Sequence, residues 1–388
     1  MRVVVVLNKT TRFFFGMIWL IVFTFILVAA YVVLMVYLLE GWNLLPEINT
    51  RHRSRRSVFV SVVIPFRNEE RNLEALIESI SKQRFSFHHL EVVMVDDHST
   101  DDGVVRLHEL QHKYHWLRVK SSSGQGKKAA LRHGISAATG ELIVATDADC
   151  HFGRDWLQTI SETYINQNPD MLIMPVGMEQ GSGFLGAFQQ NDYLALQMVT
   201  AGAVGCKVPV IGSGANMAFK KKSYLEISRK IPGEKYLSGD DVFLLHAFKA
   251  EGFRIDYLKS AQAMVKTHPA KNLKDFLFQR MRWGGKSKGY TDLWARMIAL
   301  LILLTNSWLT ILFFLTFFNV AFGIIWFAAM MTKGLVDRLL INRGKHFFTV
   351  SSDFPRFLAF SFLYPPYILV AGIGSLLLKE RWKDRTGT

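Results

Sequence analysis

Cysteine is almost missing: the chain of 388 residues has two, Cys150 and Cys206. That excludes a disulfide framework and a cysteine-built zinc cluster, and it fits a reducing compartment. Acidic residues are also scarce, with 32 Asp and Glu against 46 Lys and Arg, a formal charge of +14. Such an excess fits nucleic acid, an anionic membrane surface or phosphorylated substrates. Aromatic and basic residues do not interleave along the polar part of the chain, which counts against nucleic acid. Internal repeats and low-complexity tracts are absent, which sets aside repeat architectures and biased tails.

Apolar residues, by contrast, make up half the chain, and 30 of them are Phe. From Phe13 to Leu39 there are 27 residues without a charge. A membrane-crossing helix needs about 20 apolar residues, and a cleaved leader has an apolar core of only about 7–15. Residues 13–39 therefore read as a retained anchor, with Trp42 as an interfacial aromatic at its end. The basic run Arg51 to Arg56 places that side in the cytoplasm. Near the other end, Met297 to Met331 is a second uncharged run, 35 residues long. It holds one span or two, with Asn319 and Gly323 at a hairpin in the second case. Lys333 to Lys345 is basic and reads as cytoplasmic. Residues 357–378, with Pro365 and Pro366 inside, read as a further span or a re-entrant segment, followed by the basic end Lys379 to Arg385.

Between these runs, residues 58–288 carry an α/β pattern. Val60 to Ile64 reads as a strand stopped by Pro65, and the next helix has an apolar face of Leu73, Leu76, Ile77 and Ile80. Glu91 to Val95, Trp116 to Val119 and Leu142 to Ala145 read as strands, with helices starting near Asp101 and Ala129. Strands alternating with helices of this length imply βαβ units and a mostly parallel sheet. Beyond Asp149 the pattern loosens. Trp156 to Ile165 reads as a helix and Met171 to Pro175 as a strand. Gly181 to Ala203 reads as a helix between mobile loops. Met217 to Phe219, Arg254 to Leu258 and Ala263 to Lys266 read as short strands, and Val242 to Ala250 as a helix. Residues 272–283 form an amphipathic helix suited to the membrane interface, with Leu273, Phe276, Leu277 and Met281 on one side.

Ligands of such sheets sit at the carboxyl ends of the strands. Asp147 and Asp149, two apart after the strand Leu142 to Ala145, can hold a divalent metal and through it phosphate oxygens. Asp97 ends another strand and can accept hydrogen bonds from a base or ribose. Lys127 follows a Gly-rich turn at a helix start, where backbone N–H groups and a lysine cradle phosphate. Asp240 and Asp241 open a further helix, and one of them can act as a general base. Each of these also reads as an ordinary helix cap or polar loop. Gln279, Arg282 and Trp283 lie three and four apart on one helix face. A guanidinium beside an indole there suits a diphosphate and a stacked ring, or alternatively a basic interfacial helix with a Trp anchor.

In order, the segments VSVVIPFRNEE, VVMVDDHSTDD, GQGKKAAL, VATDADC, GSGANMAFKK, SGDDVFLLH and QRMRW make the chain resemble membrane-bound family 2 glycosyltransferases of the cellulose, chitin and hyaluronan synthase type. The resemblance implies a GT-A nucleotide-diphospho-sugar transferase domain over 58–288, between one N-terminal and further C-terminal transmembrane helices. It implies a nucleotide-sugar donor, UDP-linked by preference, and Mg²⁺ or Mn²⁺. Pro65, Arg67, Glu69 and Asp97 would line the base pocket. Lys127, Asp147, Gln279, Arg282 and Trp283 would hold the rest of the donor, Asp149 with Asp147 the metal, and Asp241 beside Asp240 would serve as base for direct displacement with inversion. The acceptor is a polysaccharide or a lipid at the cytoplasmic face of the cell's inner membrane, in a multi-pass protein.

The chain departs from the family pattern in Thr267-His268-Pro269, where an acid is usual, in Arg132 and in Asp240. The spans are few for a protein that builds its own export channel, and export subunits stay open. Two readings compete: a silent membrane scaffold on the same fold, and a phosphohydrolase with an Asp nucleophile. The second leaves QRMRW and Asp97 unexplained.

Overall fold

The computed structural model describes residues 2–49, 56–233, 239–377, 381–382 and 385–386. The run Arg51 to Arg55, Ser238 and most of the basic C-terminal end lie outside these. The chain opens with one long helix, α1 (Arg2–Leu44). A central sheet then begins with β1 (Val60–Phe66), β2 (Leu90–Asp96) and β3 (Leu117–Ser121), separated by α2 (Glu70–Ser81) and α3 (Gly103–Lys113). Helix α4 (Lys127–Ala137) leads to β4 (Leu142–Ala145). Every residue of β1, β2 and β4 is buried, Ser61, Glu91 and Asp96 included, as strands covered on both faces must be.

The remaining elements are β5 (His151–Phe152), α5 (Trp156–Gln167), β6 (Met171–Ile173), β7 (Val176–Met178), α6 (Gly183–Gly205), β8 (Met217–Lys220), α7 (Lys221–Ile227), α8 (Asp240–Ala250), β9 (Ile255–Tyr257), β10 (Val265–Thr267) and α9 (Leu273–Gly285). The large sheet has the order β3-β2-β1-β4-β8-β6-β9. It is parallel except at β8, which runs against both β4 and β6. A small sheet β5-β10-β7 lies apart. This is the mixed, mostly parallel architecture of a GT-A-like domain.

Pro65 does not stop the first strand. Its ladder with β4 ends at Val63 paired with Ala145, while pairing with β2 continues to Phe66 with Asp96. The missing N–H thus falls where one neighbour has already ended.

Three helices close the chain: α10 (Leu293–Leu315), α11 (Val320–Gly344) and α12 (Phe354–Leu377). With α1 they are, among the described residues, the four helices long and apolar enough to cross a membrane. The 35-residue uncharged run is divided between α10 and α11. Asn319 caps α11, its Oδ1 accepting from the Ala321 N–H at 2.9 Å. The basic stretch from Lys333 is no loop: it forms the last turns of α11, and Lys333 is buried. Trp42 is likewise inside the protein, with the Lys259 ammonium 4.1 Å from its ring and Phe347 edge-on to it.

The apolar helices and the α/β domain meet at α1 and α6. Segment 183–205 is one continuous helix, buried along most of its length. A Cβ on Gly202 would stand 2.1 Å from the Leu38 carbonyl oxygen, and one on Gly205 would stand 1.9 Å from that of Gly41. Only glycine lets the two backbones touch in this way. Gly202→Leu is expected to push the helices apart at a cost of about 1–3 kcal/mol. Thermal unfolding of the detergent-solubilised protein should show a lowered midpoint, and an unchanged midpoint would remove this contact from the fold's supports.

Candidate active site

The loops after β1, β2 and β4 and the N-termini of α4 and α8 converge at one edge of the sheet. Asp97 is fully buried, and its Oδ1 accepts from the Gly126 N–H at 2.8 Å. Gly126 has φ +92, a left-handed backbone that favours glycine. This bond ties the strand-end acid to the turn that carries Lys127. Arg67 braces the same loop, its Nη1 donating to the Asp97 carbonyl at 2.7 Å and to that of His98 at 2.5 Å. Glu69 immediately precedes α2, and its Oε2 accepts from Asn72 at 2.6 Å. Pro65 lies opposite Val95 at the end of the same two strands, and Glu69 acts on Asp149.

Lys127, Asp147, Asp149, Asp241, Gln279, Arg282 and Trp283 line a neighbouring cavity of about 560 Å³. Lys127 Nζ lies 2.6 Å from Asp147 Oδ1. Burial works against the lysine's charge, but Asp147, Asp240 and Asp241 together raise its pKa well above the ordinary value. Asp149 is the reverse case: burial, then Asp147 and Glu69, hold its carboxyl above the usual range against the pull of Lys127. Two crowded carboxylates with one of them hard to ionise form a donor set that a small oxygen-preferring cation would relieve. The residues fit the group implied by the resemblance.

Asp241 opens α8. Lys286 Nζ stands 3.1 Å from its Oδ1, and the Gly214 N–H donates to its Oδ2 at 3.3 Å. Burial opposes ionisation, yet Lys286 and Lys127 keep the Asp241 carboxyl below the ordinary value. Asp240 lies beside it, facing Lys127 and Gly214. The Gly212-Ser213-Gly214 turn is fixed from below. Thr146 Oγ1 donates to the Ala215 carbonyl at 2.8 Å, and Asn216 bonds Pro175, Ala263 and Trp156.

In α9 the Arg280 guanidinium lies over the Trp283 ring at 4.2 Å, beside the Arg282 that the sequence singled out. Arg280 is buried, pairs with Asp192 of α6 at 2.7 Å and donates from Nη1 to Gln279 Oε1 at 2.8 Å. The helix is therefore inserted through a charged residue as well as Phe276, while Leu273 and Phe278 are exposed. Periodicity marks a helix face but not an ion pair from another helix, so Arg280 and Asp192 carried no readable signal. Lys286 was detectable only as a basic residue just past QRMRW. An acid does stand by Thr267-His268-Pro269: Glu179 is 2.8 Å from His268 Nδ1, and His151 Nε2 is 3.1 Å from His268 Nε2.

Comparison with known proteins bears on the domain and its fold. The family model "Glycosyl transferase family 2" matches residues 61–227. Glycosyltransferase AglE of Haloferax volcanii is 24% identical over 237 residues, which are 61% of this chain and 74% of that protein. Dolichol-phosphate mannosyltransferase of Pyrococcus furiosus is 36% identical over 90 residues, covering 23% of this chain and 25% of the relative. Beta-monoglucosyldiacylglycerol synthase of Nostoc sp. is 33% identical over 102 residues, 26% of this chain and 22% of that one. The chain thus spans about a quarter of the last two relatives. Mannosyltransferase PcManGT from Pyrobaculum calidifontis, solved in complex with GDP-Man and Mn2+, shares the fold with a TM-score of 0.53 at 17% identity, over 93% of this chain and 100% of that one. The protein carries a family 2 glycosyltransferase domain of GT-A-like architecture and is a glycosyltransferase.

Proposed function

We propose that the protein moves a sugar, with inversion, from a nucleoside diphosphate donor to a lipid acceptor at the cytoplasmic face of the membrane. The observation that carries this reading is the shape of one cavity. Lys127, Asp147, Asp149 and Asp241 line it, and so do Ile298, Ile302, Leu303, Leu340 and Ile368 of α10, α11 and α12. A polymer in water has no use for that apolar half. The relatives named for dolichol phosphate and for diacylglycerol support a lipid in this place.

In this reading residues 58–288 form the catalytic domain, α1 is an anchor, and α10 to α12 complete a multi-pass membrane part. The patch around Asp97 takes the base and ribose, UDP-linked by preference. Lys127 and Arg282 take the charge that grows on the departing diphosphate, a preorganised electrostatic contribution. Gln279 and Trp283 wall the sugar. Asp147 and Asp149 would hold Mg²⁺ or Mn²⁺, which supplies further neutralisation of the diphosphate. Asp241, kept ionised by Lys286 and Lys127, collects the proton of the attacking oxygen, and Asp240 keeps Lys127 in place. The carboxylates Glu69, Asp147, Asp149, Asp240 and Asp241 outnumber Lys127, Arg282 and Lys286, a balance that favours a cation and has no purpose in a silent scaffold.

Asp241→Asn is expected to lower kcat about 10²–10⁴-fold while donor binding stays intact. Calorimetry beside a radiolabel transfer assay measures both, and parallel loss of binding and transfer would take Asp241 out of the base role. Lys286→Met removes the larger of the two charges that keep Asp241 ionised, so the carboxyl's pKa rises. The acid limb of the kcat/KM profile should therefore move to higher pH, and an unmoved limb would disconnect Lys286 from the base. Asp149→Ala should weaken donor binding only when Mg²⁺ or Mn²⁺ is present. Equal loss with chelator and with cation would argue against ligation. Sugar label from a panel of UDP- and GDP-sugars should partition into organic solvent, and label confined to water-soluble polymer would overturn the lipid reading.

A further inference from the structure

We infer that the acceptor is an uncharged lipid alcohol, its chains among α1, α10, α11 and α12 and its hydroxyl turned toward Asp241. The inference rests on the lipid-acceptor reading and specifies its chemistry. Among the described residues, the four apolar helices contribute a single charged side chain to the cavity lining, Asp337. It is already answered. Lys333 of the same helix pairs with it at 2.5 Å, and the Tyr31 hydroxyl donates to it at 2.7 Å. The Lys333 ammonium also sits over the rings of Tyr31 and Tyr364, at 5.1 and 5.0 Å.

The next layer repeats the pattern. Arg280 is paired with Asp192, which also accepts from the Tyr367 hydroxyl at 3.4 Å. Both ion pairs are internally neutral. A phosphate headgroup entering this half would lose its hydration and find, among the described residues, no cation that is not already paired, a cost of several kcal/mol per buried ion. An alcohol loses far less, and one guanidinium nitrogen is open to it. Arg280 lines the cavity, is 7% exposed, and its Nη2 has no hydrogen-bond partner among the described residues. Tyr364 and Tyr367 line the same wall; the Tyr367 hydroxyl donates to Asp192, which leaves its oxygen to accept. A donor and an acceptor side by side suit a hydroxyl.

The catalytic end makes the same distinction. A phosphate acceptor arrives without a proton to lose and would meet Asp241 and Asp240 with like charge. An alcohol needs a base. Its oxygen forms the bond to the anomeric carbon, and the carbon–oxygen bond to the diphosphate breaks. The bonding pair leaves on the diphosphate oxygen, and the hydroxyl proton goes to Asp241. Atoms and charge balance with the donor and the alcohol alone.

The full chain in phosphatidylcholine nanodiscs, doped with a diazirine-bearing diacylglycerol, tests this whichever sugar nucleotide is the donor. Cross-links should fall on α10, α11 and α12. Ala299→Trp and Ile368→Trp, each filling the cavity from a different helix, should cut them about tenfold, the loss of ~1.4 kcal/mol of binding. Unlabelled diacylglycerol should compete and polyprenyl phosphate should not. Cross-linking equal in wild type and both Trp variants would mean bulk lipid only and would overturn the inference, as would preferential competition by polyprenyl phosphate. In the parallel transfer assay, label on polyprenyl phosphate would sink the alcohol but leave a lipid glycosyltransferase. Failure of every sugar nucleotide to bind would instead strike the functional reading beneath it.

Discussion

Two backbones in contact set the plan of this molecule. Where α1 crosses α6, glycine hydrogens take the place of side chains, and carbonyl oxygens of one helix lie against α-carbons of the other. Helix α6 belongs to the catalytic half: it supplies Asp192 to α9 and Gln197 to the start of β7. Helix α1 belongs to the apolar half and packs on α10 and α11 as well. The contact fixes how deep the sheet's carboxyl edge lies relative to the apolar helices. Arg280 and Trp283 of α9 can then face Lys127 and Asp147 on one side and α12 on the other.

Charge is arranged around that plan by compensation. Lys127 with Asp147, Lys286 with Asp241, Arg280 with Asp192 and Lys333 with Asp337 follow one another from the sheet edge into the helices. Near the sheet the acids are in excess, and Lys127 with Asp147 is partly open to solvent. Deeper in, Arg280 with Asp192 is nearly closed, as a medium of low dielectric demands.

Much of this was readable in the sequence because it is local. A run such as Leu142 to Ala145, closed by Asp147 and Asp149, states a buried strand with acids at its end, and those acids line the cavity. The 3.6-residue spacing of Leu73, Leu76, Ile77 and Ile80 gave the buried face of α2 correctly. Failures came where a distant partner decides. Pro65 stays in its strand because β4 is short, which no window around Pro65 reveals. Trp42 faces inward because Lys259 and Phe347 meet it, each more than 200 positions away. Arg280, and not only its neighbour Arg282, matters because an acid reaches it from α6. The 35-residue run was undecided between one span and two, since Asn319 becomes a cap only once the chain has turned.

The glycine contact also bears on how such a protein can be taken apart. Many peripheral enzymes carry their membrane helix as a tether, replaceable by any other greasy segment. Here the first helix is a wall of the building. Exchange for a generic anchor would put methyl and larger groups into a space sized for hydrogen, so the two halves have to be inherited, and handled at the bench, as one piece.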